Sequence, residues 1–245
     1  MVYDSNSIVV AGSGQIRVAP PGTAFPTTFI SPVWDPAWVE LGWTDEKGVV
    51  VNDQRTTNDI NVWQSLYPAL KIAASRKLDM TFNLVEWTRA SFSLAFGGGT
   101  WTTTTGISSY VPPTAAAVDL RSVAVDFQSQ GFNWRWGIYK GLIDANVQTS
   151  LTRTGEAILP CQFGILGATT GSPWQVWTDN PAFVPPVAWV ATTAYLLNAL
   201  VTLTTGGGGT VKATTAGTSS ATQPTLPAVV GGTIVDGSVT WTRTA

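Results

Sequence analysis

The sequence predicts a mainly β protein: a β-sandwich or barrel with one short flanking α-helix and a long hairpin loop, followed by a small all-β module. Three observations predict it. Several segments alternate apolar and polar residues with period two, the mark of a strand with one buried face. Only one short stretch has helical spacing. The C-terminal part strings short apolar runs between turns rich in Gly, Pro and Thr.

Each element follows in order. Trp43 to Leu70 holds Asp45, Glu46, Lys47, Asp53, Arg55, Asp59 and Trp63 and reads as an extended hairpin or long loop. Loops this long in compact domains are usually functional or disordered. Its Val49–Val51 run and Ile60, Val62 and Trp63 are too apolar for a free loop, so their burial calls for another chain. An edge hairpin folded back on its own domain is the plainer alternative. Leu78, Met80, Phe82 and Leu84 then alternate with Lys77, Asp79, Thr81 and Asn83 as a strand. Thr88 to Phe96 is the one helix, with Phe92, Ala95 and Phe96 on one face and the Gly97–Gly99 stop behind it. Leu120 to Phe127, Trp134 to Lys140, Ile143 to Leu151 and Glu156 to Leu166 complete an antiparallel set.

Charge divides the chain. Of 13 basic and 15 acidic residues, only Lys212, Asp236 and Arg243 lie beyond residue 183. The break falls at the Pro-rich stretch 179–186, too stiff for a regular element. The expected domains are therefore 1–183 and 184–245. In the second, Asp236-Gly237 is read as the turn pair of a tight hairpin.

Composition removes several functions. Charged residues make up 11% of the chain, against a usual level of about 25%. There is no His, hence no Ser–His or Cys–His pair and no imidazole metal ligand. The lone Cys161 forms neither an intrachain disulfide nor a Cys-rich zinc site, and its apolar surroundings suggest a buried small hydrophobe. A net charge of −2 lacks the basic footprint of a nucleic-acid binder. The adjacent Asp45 and Glu46, on a strand, point to opposite faces and do not converge as a two-carboxylate hydrolase requires. The Gly runs at 97–99 and 206–209 lack the residues of a P-loop. No enzyme, cofactor or metal is expected. The segment from Met1 to Gly14 does not read as a leader, and Val187 to Leu203 is too short and too polar to span a bilayer.

A specific resemblance emerges from the order of several motifs. Gly12 to Ala19 reads GSGQIRVA and is followed by Pro-Pro-Gly-Thr from Pro20. Trp38 to Gly48 reads WVELGWTDEKG and leads into the charged hairpin. Met80 to Glu86 reads MTFNLVE and leads into the helix with its Phe-Gly-Gly end; Arg153 to Pro160 reads RTGEAILP. In this order the motifs resemble the major tail protein, or tail tube protein, of long non-contractile-tailed bacteriophages of the siphovirus type. The resemblance covers roughly residues 8–170.

The segment from Trp189 is similar to a second phage element, a small Ig-like or carbohydrate-binding-like β module of virion proteins. It carries Trp189, Tyr195, the run from Lys212 to Ser220, Gln223-Pro-Thr-Leu-Pro227 and Gly232 to Trp241. An aromatic is usual near Val211 and a Trp where Leu226 stands; both are missing here. Trp189, Tyr195 and Trp241 therefore read either as glycan-facing rings or as the module's core.

The resemblance implies a structural virion protein made in the bacterial host cytoplasm. Its copies form hexameric rings stacked into a tube that encloses the tape-measure protein and conducts DNA during ejection. Tail terminator and tail-tip proteins are implied partners, and a host-surface glycan is a further candidate. The hairpin at 43–70 is implied to reach neighbouring subunits. A channel that passes DNA should not offer phosphate-binding cations, so Asp79, Asn83, Asp126 and Asp144 are candidate channel-facing residues; a solvent-facing outer placement is equally open for each. A virion adhesion protein acting through the C-terminal module is the alternative function.

Overall fold

The computed structural model describes residues 8–29, 32–114, 116–144, 146–167, 171–180, 183 and 185–244. The first residues of the chain, where no leader was expected, and part of the expected break at 179–186 lie outside the described residues. Val10–Trp177 form one compact unit, and Thr178–Ala245 belong to a second.

The first unit contains β1 (Ser13–Ala19), β2 (Val39–Glu40), β3 (Thr44–Ile60), β4 (Leu70–Leu84), α1 (Arg89–Ala95), β5 (Thr100–Thr104) and β6 (Ile107–Val111). It continues with β7 (Arg121–Ser129), β8 (Phe132–Ile143), β9 (Leu159–Ile165) and β10 (Trp174–Thr178). One mixed-length sheet runs β2-β1-β7-β8-β9-β4-β3, with β10 also paired to β8. Strands β2 and β3 end that order unpaired with each other, so the architecture is sandwich-like and not a closed barrel. Period-two alternation sends Met80, Phe82 and Leu84 of β4 into one core with Ile16, Val123, Val125, Ile138 and Phe163. Cys161 lies in that core, and burial pushes its thiol up to about 12.

Helix α1 starts where its cap chemistry dictates. The Thr88 hydroxyl accepts from the Ser91 amide at 3.1 Å, and the Ser91 hydroxyl accepts from the Thr88 amide at 2.8 Å. The two orphan amides are thus satisfied reciprocally. The buried face is Ser91, Leu94 and Ala95, rotated from the expected Phe92, Ala95 and Phe96. Phe92 packs partly buried against the same core and joins a ring cluster with Phe96, Trp101 and Tyr110, the last two on the β5–β6 hairpin. That hairpin has no counterpart among the sequence expectations, although Thr105 and Gly106 at its turn both take the positive φ that a two-residue hairpin loop needs.

One expected strand is absent. No strand follows Ile143 among the described residues of 144–151. Only Val147 of that stretch packs on the core, while Leu151 is exposed. The Thr149 hydroxyl donates to the Ile158 carbonyl, folding the segment into a loop that leads to β9.

The second unit contains β11 (Val187–Ala188), β12 (Ala194–Tyr195), β13 (Leu200–Leu203), β14 (Gly209–Thr215), β15 (Gly217–Thr218), β16 (Thr233–Asp236) and β17 (Val239–Arg243). Five of them form the sheet β11-β13-β14-β17-β16, and β12 pairs with β15. The core holds Trp241, Tyr195, Val201, Leu203, Val211, Ala213, Leu226 and Val239. The β16–β17 loop is Gly237-Ser238, one residue later than expected, because Asp236 still pairs with Val239.

Candidate assembly surfaces

Strands β3 and β4 outrun the sheet. Strand β4 pairs with β9 only from Asp79 to Leu84, whereas it pairs with β3 back to Leu70. Residues 52–60 and 70–77 therefore form a two-stranded ribbon exposed along its whole length. An isolated ribbon of this kind is marginal in water. Ion pairs brace it, two across the strands and one along β3. Asp53 accepts from Arg76 at 2.7 and 2.8 Å and from Arg55 at 3.2 Å, and Lys71 lies 3.1 Å from Asp59. The Arg76 guanidinium, more than that of Arg55, holds the Asp53 carboxyl below its ordinary range against the cost of desolvation. Pairs this exposed add little stability.

The ribbon's tip is apolar. Trp63, Leu66 and Tyr67 are 99%, 101% and 81% exposed, and residues 61–70 carry no charge. An exposed group of large side chains on an extended arm is the signature of an interaction site.

At the ribbon's root the strand swells. Thr44 pairs with Leu84 and Val49 with Phe82, so residues 45–48 all stand against Asn83. Asp45 and Glu46 sit in this bulge and not on a regular strand, so the expected opposite-face geometry does not apply to them. The Lys47 amide donates to Asp45 at 3.2 Å, Gly48 takes φ +63°, and the Asn83 amide donates to Asp45 at 2.7 Å. A bulge bends and twists its strand, which sets the direction in which the ribbon leaves the sheet.

The four candidate channel residues are not alike. Asp79 is 5% exposed; its carboxylate lies 3.1 Å from Lys77, which also approaches Asp144 at 3.6 Å. Those two carboxylates hold the Lys77 ammonium above its ordinary range, the Asp79 hydrogen bond contributing most. Asn83 is committed to Asp45. Asp126 is a structural anchor. Arg135, 1% exposed, donates to it at 2.7 and 2.8 Å, and Arg17 lies 3.5 Å away. The Arg135 guanidinium is held over Trp34 at 4.5 Å and Phe29 at 5.2 Å and donates to the Pro26 carbonyl. This buried cation and its aromatic cover escaped sequence reading, because nothing local marks Arg135 as different from an alternating surface residue.

In the second unit, Tyr195 and Trp241 are buried in the module's core cluster, and Trp189 is partly buried beside it. Asp236 holds the set together. It accepts from Trp189 at 2.7 Å, Trp241 at 2.9 Å and the Ser220 amide at 2.8 Å. Val211 and Leu226, where further rings were missing, are core as well. Among the described residues, no cluster of three acidic or sulfur ligands is placed to hold a metal, and no helix is long and apolar enough to cross a membrane.

The sandwich thus projects a long ribbon whose apolar tip the subunit does not cover itself. The family model for phage tail tube proteins matches residues 1–188, and the chain belongs to that family. It is a structural protein of the phage tail, where such subunits assemble into the tube. The match does not extend over the C-terminal module, and no curated protein matches the chain.

Proposed function

We propose that this chain is the major tube subunit. Its copies close into hexameric rings, the rings stack, and the channel encloses the tape-measure protein before conducting DNA into the host, with terminator and tip proteins at the two ends. The exposed ribbon with Trp63, Leu66 and Tyr67 at its tip carries the reading. It offers an apolar surface that the subunit does not bury, and a heterologous contact of this kind closes into rings or runs on into filaments.

Scarcity of charge supports the same reading, because the cores of subunit interfaces are depleted in charge. A mildly acidic first part, with net charge −3 over residues 1–183, suits a wall past which DNA slides without phosphate capture. The role is structural and not catalytic. Purified protein at high concentration should form tubes of uniform width with sixfold end views in electron micrographs. A protein that stays monomeric, with a protease-resistant ribbon, contradicts the reading.

A further inference from the structure

The five-stranded sheet of the second unit turns one face away from its core. Val201, Leu203, Val211, Ala213, Val239 and Trp241 point into the core, so alternation sends their neighbours in β13, β14 and β17 to the opposite face. There Lys212 stands between Leu200 on one side and Thr242 on the other. Thr202, Thr210, Thr214, Thr233 and Thr240 surround this row. The Thr214 and Thr242 hydroxyls lie 3.3 Å apart, and the Thr202 hydroxyl donates to the Val187 carbonyl. Those of Thr210, Thr233 and Thr240 have no partner among the described residues. Charge on this face is a single cation. Beyond residue 183 the charged side chains are Lys212, Asp236 and Arg243. Asp236 is turned inward to Trp189 and Trp241, and Arg243 donates to the Pro227 and Ala228 carbonyls. Lys212 alone of the three makes no side-chain hydrogen bond or ion pair with the described residues.

We propose that this face binds an acidic glycan, a polyhydroxylated chain bearing carboxylate or phosphate groups. Lys212 takes the anion and the threonines take the sugar hydroxyls. The chemistry of the face selects this occupant. A Thr hydroxyl both donates and accepts, as a sugar hydroxyl does. A Lys ammonium is a compact point charge, suited to a carboxylate or phosphate oxygen. An unmatched cation among neutral hydroxyls is thus complementary to a hydroxyl-rich chain with sparse negative charge. A second copy of the protein suits the face poorly, because the centre of a protein interface is depleted in charge, and here a lysine stands at the centre. Nucleic acid and anionic bilayers call for several clustered cations. Ring stacking is not the mode, since Tyr195 and Trp241 are buried. The first 183 residues carry a net charge of −3 and repel a polyanion, whereas the module has two cations against one carboxylate. A single exposed ion contact is weak, so copies repeated along a tail would add their contacts as avidity.

Affinity electrophoresis of the full chain tests the proposal, in native gels containing polygalacturonate, poly(glycerol phosphate) or neutral dextran. Mobility in a polymer-free gel corrects for the charge of each variant. The expected result is retardation by at least one polyanion and none by dextran. Retardation by polygalacturonate alone assigns a carboxylate as the anion bound, by poly(glycerol phosphate) alone a phosphate, and by both the charge itself. Lys212→Met should weaken the apparent affinity at least fivefold and Lys212→Glu should abolish it. Thr242→Val should weaken it at least twofold. All three should melt as the wild type does, being surface changes. Lys140→Met removes an exposed lysine of the first unit and should leave the affinity unchanged. The proposal is overturned by no retardation in either polyanion, by equal retardation in dextran, or by equal effects of Lys212→Met and Lys140→Met. Sedimentation of the same variants supplies the last arm. If Lys212→Glu melts normally but no longer forms tubes, the face is a contact between copies and the glycan is wrong.

Discussion

The Asn83 side-chain amide donates to the Asp45 carboxylate at 2.7 Å, across the bulge from which the ribbon springs. Asn83 stands alone against the four residues of the bulge and bonds the first of them. A hydrogen bond to a charged group contributes about 1.5–3 kcal/mol, and partial exposure puts this one at the low end. Asn83→Ala should lower the denaturant midpoint by an amount equivalent to about 1.5 kcal/mol, with an unchanged slope. Asn83→Asp should cost more near neutrality, because it sets two carboxylates side by side, and should recover on acidification. Urea titrations at pH 7 and pH 4 check both.

Arg135 is buried and pairs with the partly buried Asp126. Removing one partner of such a pair costs about 3–5 kcal/mol, since the other is left uncompensated. Arg135→Met should fall in that range, at the lower end because Arg17 still approaches Asp126. Asp126→Asn in the same chain should cost less than the sum of the two single changes. A double-mutant cycle by thermal or chemical unfolding measures the difference.

Asp236 ties Trp189, Trp241 and Ser220 in the second unit. Burial raises its pKa, but the hydrogen bonds from Ser220, Trp189 and Trp241 together outweigh that and hold the carboxyl below its ordinary value of 3.8. A carboxylate with a depressed folded-state pKa adds stability that is complete above the unfolded value and is lost as pH falls through the folded one. The module should therefore hold its stability down to about pH 4 and lose this contribution below it. Asp236→Ala should destabilise by about 3 kcal/mol, because buried indole and amide donors lose their acceptor. Tryptophan fluorescence of the wild type and the variant across pH 2–7 follows both effects.

The tip predicts a separation of stability from assembly. Trp63→Ala and Leu66→Ser remove side chains that touch almost nothing in the subunit. Surface changes of this kind usually stay within about 0.5 kcal/mol. Subunit melting should be unchanged while tube formation is lost, as read by sedimentation of the same samples.

Much of this was legible in the sequence. Alternation placed β4, β7, β8 and β9 because a period of two survives wherever one face is buried, and Thr88 with the Gly97–Gly99 run bounded the single helix. The ribbon was legible from its charges and its misplaced apolar residues. What escaped has a common physical cause. The bulge at 45–48 is set by pairing with a distant residue, Asn83, and not by local propensity. Arg135 is buried by residues more than a hundred positions earlier in the chain. Trp189 and Trp241, from opposite ends of the second unit, share Asp236 as acceptor, a meeting that no local pattern marks.

Hydrogen exchange at the backbone amides of 61–69, before and after assembly, tests the central claim most directly. In the subunit these amides border exposed side chains on an unsupported ribbon and should exchange fast. In assembled tubes they should be protected by at least a hundredfold. Equal exchange of 61–69 in both states would contradict the account, because an arm that stays open in the tube is not what holds the tube together.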